Sequence, residues 1–431
     1  MLLREIAYVP LTLVRQYGGR AGLRRYQLRR LNRMLAHADA NVPYYRGTLP
    51  RLDSLADLAR LPMVTKSIMR STPNREFVAD GVDTDDCLAW SSSGTTGMRV
   101  TGWHDMNAHD YHMAACVRRF FATRRYLPTD RLAHIKPNPM PPRVIEKVGL
   151  FRRYLILSTD PPATWVARLL AYRPRVLIGY PVHLRELLRT MTDDERTQLT
   201  KHLRLLLTES ELLVPANRAA LERGFRVPVR DEYSSFETLN IYFECHHGGR
   251  HIAEDRVYVE VVDDDGTVLP DGTEGQLVVT AFHERAMPLV RYLIGDIGRI
   301  SPTPCRCGRR FRTMTLTSGR MNDSVVLPDG TKVFGDIFTS VAMVEPGVAE
   351  LYVRQDAAGT VRVFVVPDGS LPADAVLANT ERTLLRETGV ELPLEMRIGD
   401  RVPLTGAGKA QVVVSEYAPA VAVNRAANRM G

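Results

Sequence analysis

Residues 91–97 read Ser91-Ser92-Ser93-Gly94-Thr95-Thr96-Gly97, a run of hydroxyls broken by two glycines. Glycine amides with no Cβ in the way, interleaved with hydroxyl donors, can wrap a polyphosphate with little steric obstruction. No Gly-Lys-Ser/Thr follows, so the stretch is not a Walker A loop. Taken alone it also reads as a flexible Ser/Thr/Gly linker. The motifs around it, and their order, decide between the two.

Upstream, residues 12–38 place Leu23, Tyr26, Leu31 and Met34 among arginines, the pattern of a helix with one buried face. A basic surface helix is preferred here to a membrane-docking one. Downstream, helical stretches such as 163–172 alternate with short β-rich runs such as RVLIGY at 175–180, which predicts an α/β core. From 251 the texture changes to RVYVEVVDDDG, GQLVVTAF and a Pro/Cys/Gly segment at 301–309, which predicts a β-rich subdomain. Strands are expected again at 324–327, 350–354, 361–366 and 411–415, with a helix at 372–388, enough for a separate α+β domain. The expected fold class is therefore α/β: a large N-terminal domain over 1–319 and a small, mobile C-terminal domain over 320–431.

The chain has 431 residues and is 45% hydrophobic, enough for a sizeable core in two domains. Its 57 basic and 49 acidic residues leave a net charge of +8, but the basic residues are scattered among acids with no aromatic-interleaved stripe, so no nucleic-acid partner is expected. Only six of the basic residues are lysines, at 66, 136, 147, 201, 332 and 409, which makes a well-placed lysine conspicuous. Glu5, Pro10 and Arg15 interrupt the first apolar run, so neither a signal peptide nor a membrane partner is expected. Five cysteines, an odd number, argue for thiols or metal ligands in a reducing compartment, and the cytoplasm is the expected location.

Two cysteine-bearing segments belong together. Cys245-His246-His247-Gly248-Gly249-Arg250-His251 and Cys305-Arg306-Cys307 supply three thiolates and one imidazole, a closed structural zinc set with no position left for water. The alternative is unligated buried thiols. Cys87 and Cys116 have no partner at metal spacing and read as core. His104, His109, His112 and His134 follow the hydroxyl-rich loop, but no spacing singles one out as a base. The rigid segment from Lys136 to Pro142 is read as a wall of the substrate site.

NVPYYRG (41–47), LPMVTKSIMR (61–70) and RPRVLIGYPVHLREL (173–187), with the hydroxyl-rich loop between them, resemble the adenylate-forming superfamily. Within it they resemble the group of phenylacetate–CoA ligases, coenzyme F390 synthetases and CapK proteins. The resemblance spans nearly the whole chain and makes Ser92, Ser93, Gly94, Thr95, Thr96 and Gly97 the phosphate loop. Residues 231–237, Asp231-Glu232-Tyr233-Ser234-Ser235-Phe236-Glu237, resemble the motif whose aromatic stacks on adenine and whose glutamate holds magnesium, which implies those roles for Tyr233 and Glu237. Ser234 and Phe236 depart from the usual glycine and threonine, and a Tyr and a Glu four apart also suit one helix face.

Arg291-Tyr292-Leu293-Ile294-Gly295-Asp296 resembles the motif whose aspartate binds both ribose hydroxyls, with Leu293 and Ile294 as departures. A carboxylate is acceptor-only and suits a diol. An ordinary strand-end turn is the other reading of Asp296. Ser318-Gly319-Arg320-Met321-Asn322-Asp323 resembles the interdomain hinge, which implies that Arg320 reaches ribose or phosphate and that residues 320–323 absorb the rotation. Pro403-Leu404-Thr405-Gly406-Ala407-Gly408-Lys409 resembles the loop of the adenylation lysine. A solvated surface lysine is the bland alternative for Lys409.

The resemblance also implies the zinc set Cys245, His251, Cys305 and Cys307, and the co-substrates ATP with magnesium and coenzyme A. The expected activity is activation of an aromatic or arylacetic acid as acyl-AMP, then transfer to an acceptor. The partners are small molecules, and a homodimer is compatible with the class. Transfer to an amine or alcohol, or of AMP itself, is the second enzymatic reading. A catalytically quiet nucleotide-binding zinc protein is the non-enzymatic one.

Overall fold

The computed structural model describes residues 2–91, 100–137, 144–147, 149–318, 324–328, 332–388, 394–403 and 411–417. The chain forms two compact units. The first comprises Met1–Gly179, Met191–Ser210 and Val227–Thr317. The second comprises Tyr180–Thr190, Glu211–Arg226 and Ser318–Gly431.

The first unit is built on a seven-stranded sheet in the order Arg153–Leu157, Leu132–Lys136, Val176–Gly179, Leu205–Thr208, Val229–Ser235, Leu239–Glu244, Arg250–Ile252. The first five strands are parallel and the last two antiparallel. Val176–Gly179 and Leu205–Thr208 are buried throughout, as expected of parallel strands covered on both faces, and their sequences VLIG and LLLT are apolar runs without alternation. A second, four-stranded sheet runs Val257–Val262, Gly275–Ala281, Tyr292–Ile300, Met314–Ser318, which is the β-rich region expected after 251. Its inner residues pack with the helix Arg20–Asn41, whose Leu31, Met34, Leu35 and Ala38 recur at helical spacing on one buried face.

The single helix expected over 12–38 is two helices, Leu2–Arg15 and Arg20–Asn41. The chain turns at Tyr17-Gly18-Gly19, where a glycine pair lowers helix propensity by about 1 kcal/mol per residue relative to alanine. Cys116 is buried as expected, whereas Cys87 is half-buried rather than core, because it follows the exposed turn Thr84–Asp86.

Helix Met106–Thr123 brings Arg118 into the interior, where its Nη1 lies 3.0 Å from both carboxylate oxygens of Asp255 and both side chains are fully buried. The guanidinium also faces the rings of Phe243 and Phe311, at 4.8 and 5.1 Å. Removing one member of a buried pair leaves the other charge uncompensated, a cost of about 3–5 kcal/mol. Asp255→Ala is therefore expected to lower the urea midpoint by that equivalent. An unchanged midpoint would show that the pair contributes nothing.

The second unit is α+β. Its mixed sheet runs Leu394–Ile398, Val361–Pro367, Val348–Gln355, Val413–Ser415, with the outer two strands parallel to their neighbours and the inner pair antiparallel. Val361, Val363 and Val365 alternate inward and pack with Phe338 and Val341 of helix Gly335–Val344 and with Val376 and Leu384 of helix Ala373–Thr388. The helix Pro181–Thr190 joins this unit through Arg189, whose Nη2 lies 3.1 Å from Glu350 Oε1.

Candidate active site and metal centre

Strand Val229–Ser235 is the last parallel strand of the large sheet, and its carboxyl end turns into the antiparallel strand Leu239–Glu244. Crevices at such strand ends are where open α/β sheets bind ligands. Ser235 makes the turn by accepting from the Thr238 amide at 2.9 Å, and Leu239 adopts a φ of +58°. Tyr233 thus ends a strand and Glu237 sits in the turn beyond it, so the shared-helix alternative for this pair does not apply.

Asp296 lies on Tyr292–Ile300 of the second sheet, and the Tyr233 hydroxyl donates to its Oδ2. Tyr292 from the same strand donates to Glu237 Oε1 at 2.9 Å. Tyr233, Glu237 and Asp296 are 9, 6 and 9% exposed, so three residues picked from two separate motifs meet in one buried site. Burial first, and then the Asp296 carboxylate, push the Tyr233 hydroxyl well above its ordinary pKa, so it remains a neutral donor.

Lys66 joins this site without having been singled out for it. Val64 bridges Tyr292 in parallel, and Arg291 donates to the carbonyls of Ala59 and Leu61 at 2.9 and 2.6 Å, which ties the LPMVTKSIMR segment to the second sheet. Lys66 Nζ is consequently 3.8 Å from Glu237 Oε1. Its scarcity as a lysine was the available signal.

Among the histidines, His104 acquires a definite task. Its Nδ1 is 2.9 Å from Glu284 Oε2 and its Nε2 donates to the Phe236 carbonyl at 2.7 Å, which fixes the turn that carries Glu237. Burial opposes the charged imidazole, but the Glu284 carboxylate and these hydrogen bonds outweigh it and raise the His104 pKa. At the same sheet edge, Glu209 Oε1 is approached by His134 Nε2 at 3.0 Å and Lys136 Nζ at 3.1 Å. Arg119 joins Glu209 to Glu232, at 3.4 and 2.5 Å. Burial lowers the His134 pKa to about 4, so its ring is neutral at pH 7.

The hydroxyl-rich loop joins strands Leu88–Ser91 and Thr101–His104, which pair antiparallel up to Ser91 opposite Thr101. Ser92, Ser93, Gly94, Thr95, Thr96, Gly97, Arg320 and Lys409 lie outside the described residues, as do 138–142 of the substrate-wall segment.

The metal candidates converge. The ligand atoms of Cys245, His251, Cys305 and Cys307 all lie within 4.8 Å of one another, with Cys245 Sγ 3.7 Å from Cys305 Sγ and Cys307 Sγ 3.1 Å from His251 Nε2. Two tight turns present the thiols, one with Gly248 at φ +80° and one with Gly308 at φ +84°. A Cβ on Gly249 would meet Cys305 Sγ at 2.6 Å, so glycine is needed there for close approach. His251 Nδ1 donates to the Phe311 carbonyl at 3.0 Å, which orients the ring and leaves Nε2 facing the thiols. Burial pushes the Cys245 thiol up to about 12, with Cys307 and Cys305 adding to the shift, which a bound cation would reverse.

No known family profile matches the chain. It is 28% identical over 380 residues to the phenylacetate-coenzyme A ligase of Aromatoleum evansii, covering 81% of this chain and 83% of the relative. It is 22% identical over 377 residues to protein CapK of Staphylococcus aureus, covering 84% and 81%. Its fold matches that of 2-hydroxyisobutyryl-CoA ligase in the postadenylation state in complex with R3-HIB-AMP, with a TM-score of 0.78 at 19% identity over 97% of this chain and 94% of that one. The fold is that of the acyl-adenylate-forming ligases. Sequence relatives and structural neighbours together place the chain in the adenylate-forming superfamily.

Proposed function

We propose that this protein is an ATP-dependent ligase that activates a carboxylic acid, aromatic or arylacetic, as acyl-AMP and passes the acyl group to the thiol of coenzyme A. The observation that carries this reading is the convergence of Tyr233, Glu237 and Asp296 at the carboxyl edge of the large sheet. The acid and the acceptor are supported by the likeness to phenylacetate-coenzyme A ligases.

The substrate carboxylate attacks the α-phosphorus of ATP in line, a new O–P bond forms, and the bond to the bridging oxygen breaks to release pyrophosphate. Tyr233 lies against adenine, Asp296 accepts from the ribose hydroxyls, and Ser92 through Gly97 hold the phosphates. Arg320 reaches ribose or phosphate, and Lys409 faces the charge that grows during attack. Glu237 offers the hard oxygen donor that magnesium takes, and the ion would neutralise phosphate charge there. Residues 320–431 form the mobile lid, which turns about 320–323 to admit the thiol. Cys245, His251, Cys305 and Cys307 hold a structural zinc. Five cysteines without a bridge suit a reducing compartment, and we assign the enzyme to the cytoplasm.

Asp296→Ala is expected to raise KM for ATP by about tenfold or more, two hydrogen bonds being worth roughly 1 kcal/mol each, with KM for the acid little changed. The contacts exist in both ground and transition states, so the loss appears in KM rather than kcat. An unchanged KM for ATP would remove Asp296 from the nucleotide site.

A further inference from the structure

A cavity of about 600 Å³ opens in the first unit, between the two N-terminal helices, the start of helix Met106–Thr123 and the segment 282–285. None of Tyr233, Glu237 and Asp296 lines it. Four arginines do: Arg15, Arg30, Arg33 and Arg285. Arg30 and Arg33 lie three apart on one helix face, and Arg285 approaches from the segment opposite.

Among the described residues the only carboxylate in the lining is Glu284, and it is already engaged, 2.9 Å from His104 Nδ1 and 3.9 Å from Arg256 Nη2. Among the described residues none of the four arginines has a carboxylate within ion-pair distance. Arg30 spends one nitrogen on a neutral acceptor, His283 Nδ1 at 2.7 Å, and its buried Nε has no partner among the described residues. Burial, with Arg30 and Arg256 beside it, holds the His283 pKa well below its ordinary value, so the ring is neutral and serves as an acceptor for Arg30. Like charges gathered around one cavity repel one another, and an anion between them reverses the sign of that interaction.

The floor is aromatic. His283 and Tyr111 stack with centroids 3.7 Å apart, and Arg15 lies over the Tyr26 ring at 3.9 Å. A flat ring finds stacking partners here, and guanidinium groups match phosphate oxygens bidentately. A phosphate monoester carries about two negative charges at pH 7, more than a monocarboxylate brings to four arginines.

We propose that this cavity is a second ligand site, separate from the catalytic nucleotide site, which binds a ring-bearing phosphate monoester of the nucleotide type. The test uses adenosine 3′,5′-bisphosphate as probe, titrated calorimetrically into full-length Asp296→Ala protein, in which the catalytic nucleotide site is weakened. One equivalent is expected to bind, with affinity falling steeply as salt rises. Adding Arg33→Ala and Arg285→Ala, both exposed positions that leave the core intact, is expected to weaken binding by at least about tenfold through the loss of two charge-assisted contacts. Inorganic phosphate is expected to compete weakly and benzoate not at all, which separates the phosphate and ring contributions from a general affinity for acids. In the otherwise wild-type chain the same two substitutions are expected to leave acid-dependent ATP–pyrophosphate exchange in place, so failure here is distinguishable from failure of the adenylation reading. Absence of binding, or equal affinity in the arginine variant, would overturn the site.

Discussion

Replacing Lys409 with alanine is expected to slow acyl-adenylate formation by about a hundredfold or more, the loss seen when one transition-state donor is removed. Consumption of pre-formed adenylate is expected to remain near the wild-type rate. The asymmetry follows from the charge. During attack, negative charge collects on the entering carboxylate oxygen and the α-phosphate, and a compact ammonium on a flexible stem meets it there. During thioester formation the acyl carbon reacts and AMP leaves, a step that in the proposed mechanism follows the turn of the lid and the withdrawal of the lysine. Gly406 and Gly408 both precede the position, in a chain with only six lysines. Rapid-quench measurement of the two half-reactions separates them. A mutant that forms adenylate at the wild-type rate would make Lys409 a surface residue.

Removing the proposed zinc is expected to damage the fold rather than the chemistry. Cys305→Ser is expected to lower the melting temperature by roughly 10 °C or more, since a structural zinc contributes on the order of 10 kcal/mol of apparent binding energy against total stabilities of about 5–15 kcal/mol. The reason lies in the packing: Cys245 and Cys307 share an apolar cluster with Leu23, Ala122, Phe243 and Phe311, so a metal held there would tie helix Arg20–Asn41, the large sheet and the 305–311 loop together. Any fraction that stays folded is expected to keep adenylation activity. Gly249→Ala approaches the same centre sterically, its Cβ meeting Cys305 Sγ at 2.6 Å, and is expected to reduce metal content. Elemental analysis with one zinc per chain supports the assignment. A zinc-free protein with full stability would refute it and leave the adenylation reading untouched.

The residues that converge as candidate nucleotide and metal ligands were put forward by the sequence, because such chemistry fixes residue type at short spacing. Tyr233 with Glu237, and Cys245 with His251, each sit around one turn, so local order carries the signal. Lys66 was not legible as a site residue. Its place depends on Val64 bridging Tyr292 and on Arg291 holding the carbonyls of Ala59 and Leu61, contacts between segments more than two hundred residues apart. His104 was hidden for the same reason, since Glu284 and the Phe236 carbonyl reach it from two other elements. The strands were readable from alternation or from unbroken apolar runs, whereas the break between the first two helices was masked by arginines that continue the helical pattern across Tyr17-Gly18-Gly19. Helix Gly335–Val344 was missed because its residues, DIFTSVAMV after Gly335, are β-branched enough to read as strand.

The central claim is that the buried cluster of Tyr233, Glu237 and Asp296 binds ATP for attack by a carboxylate. Exchange of radiolabelled pyrophosphate into ATP, driven in turn by each of a panel of carboxylic acids that includes phenylacetate and benzoates, tests it most directly. Exchange is expected to depend on at least one acid, to require magnesium, and to fall by about a hundredfold or more in Lys409→Ala. Folded, metal-replete protein that binds ATP yet catalyses no acid-dependent exchange with any member of the panel would contradict it.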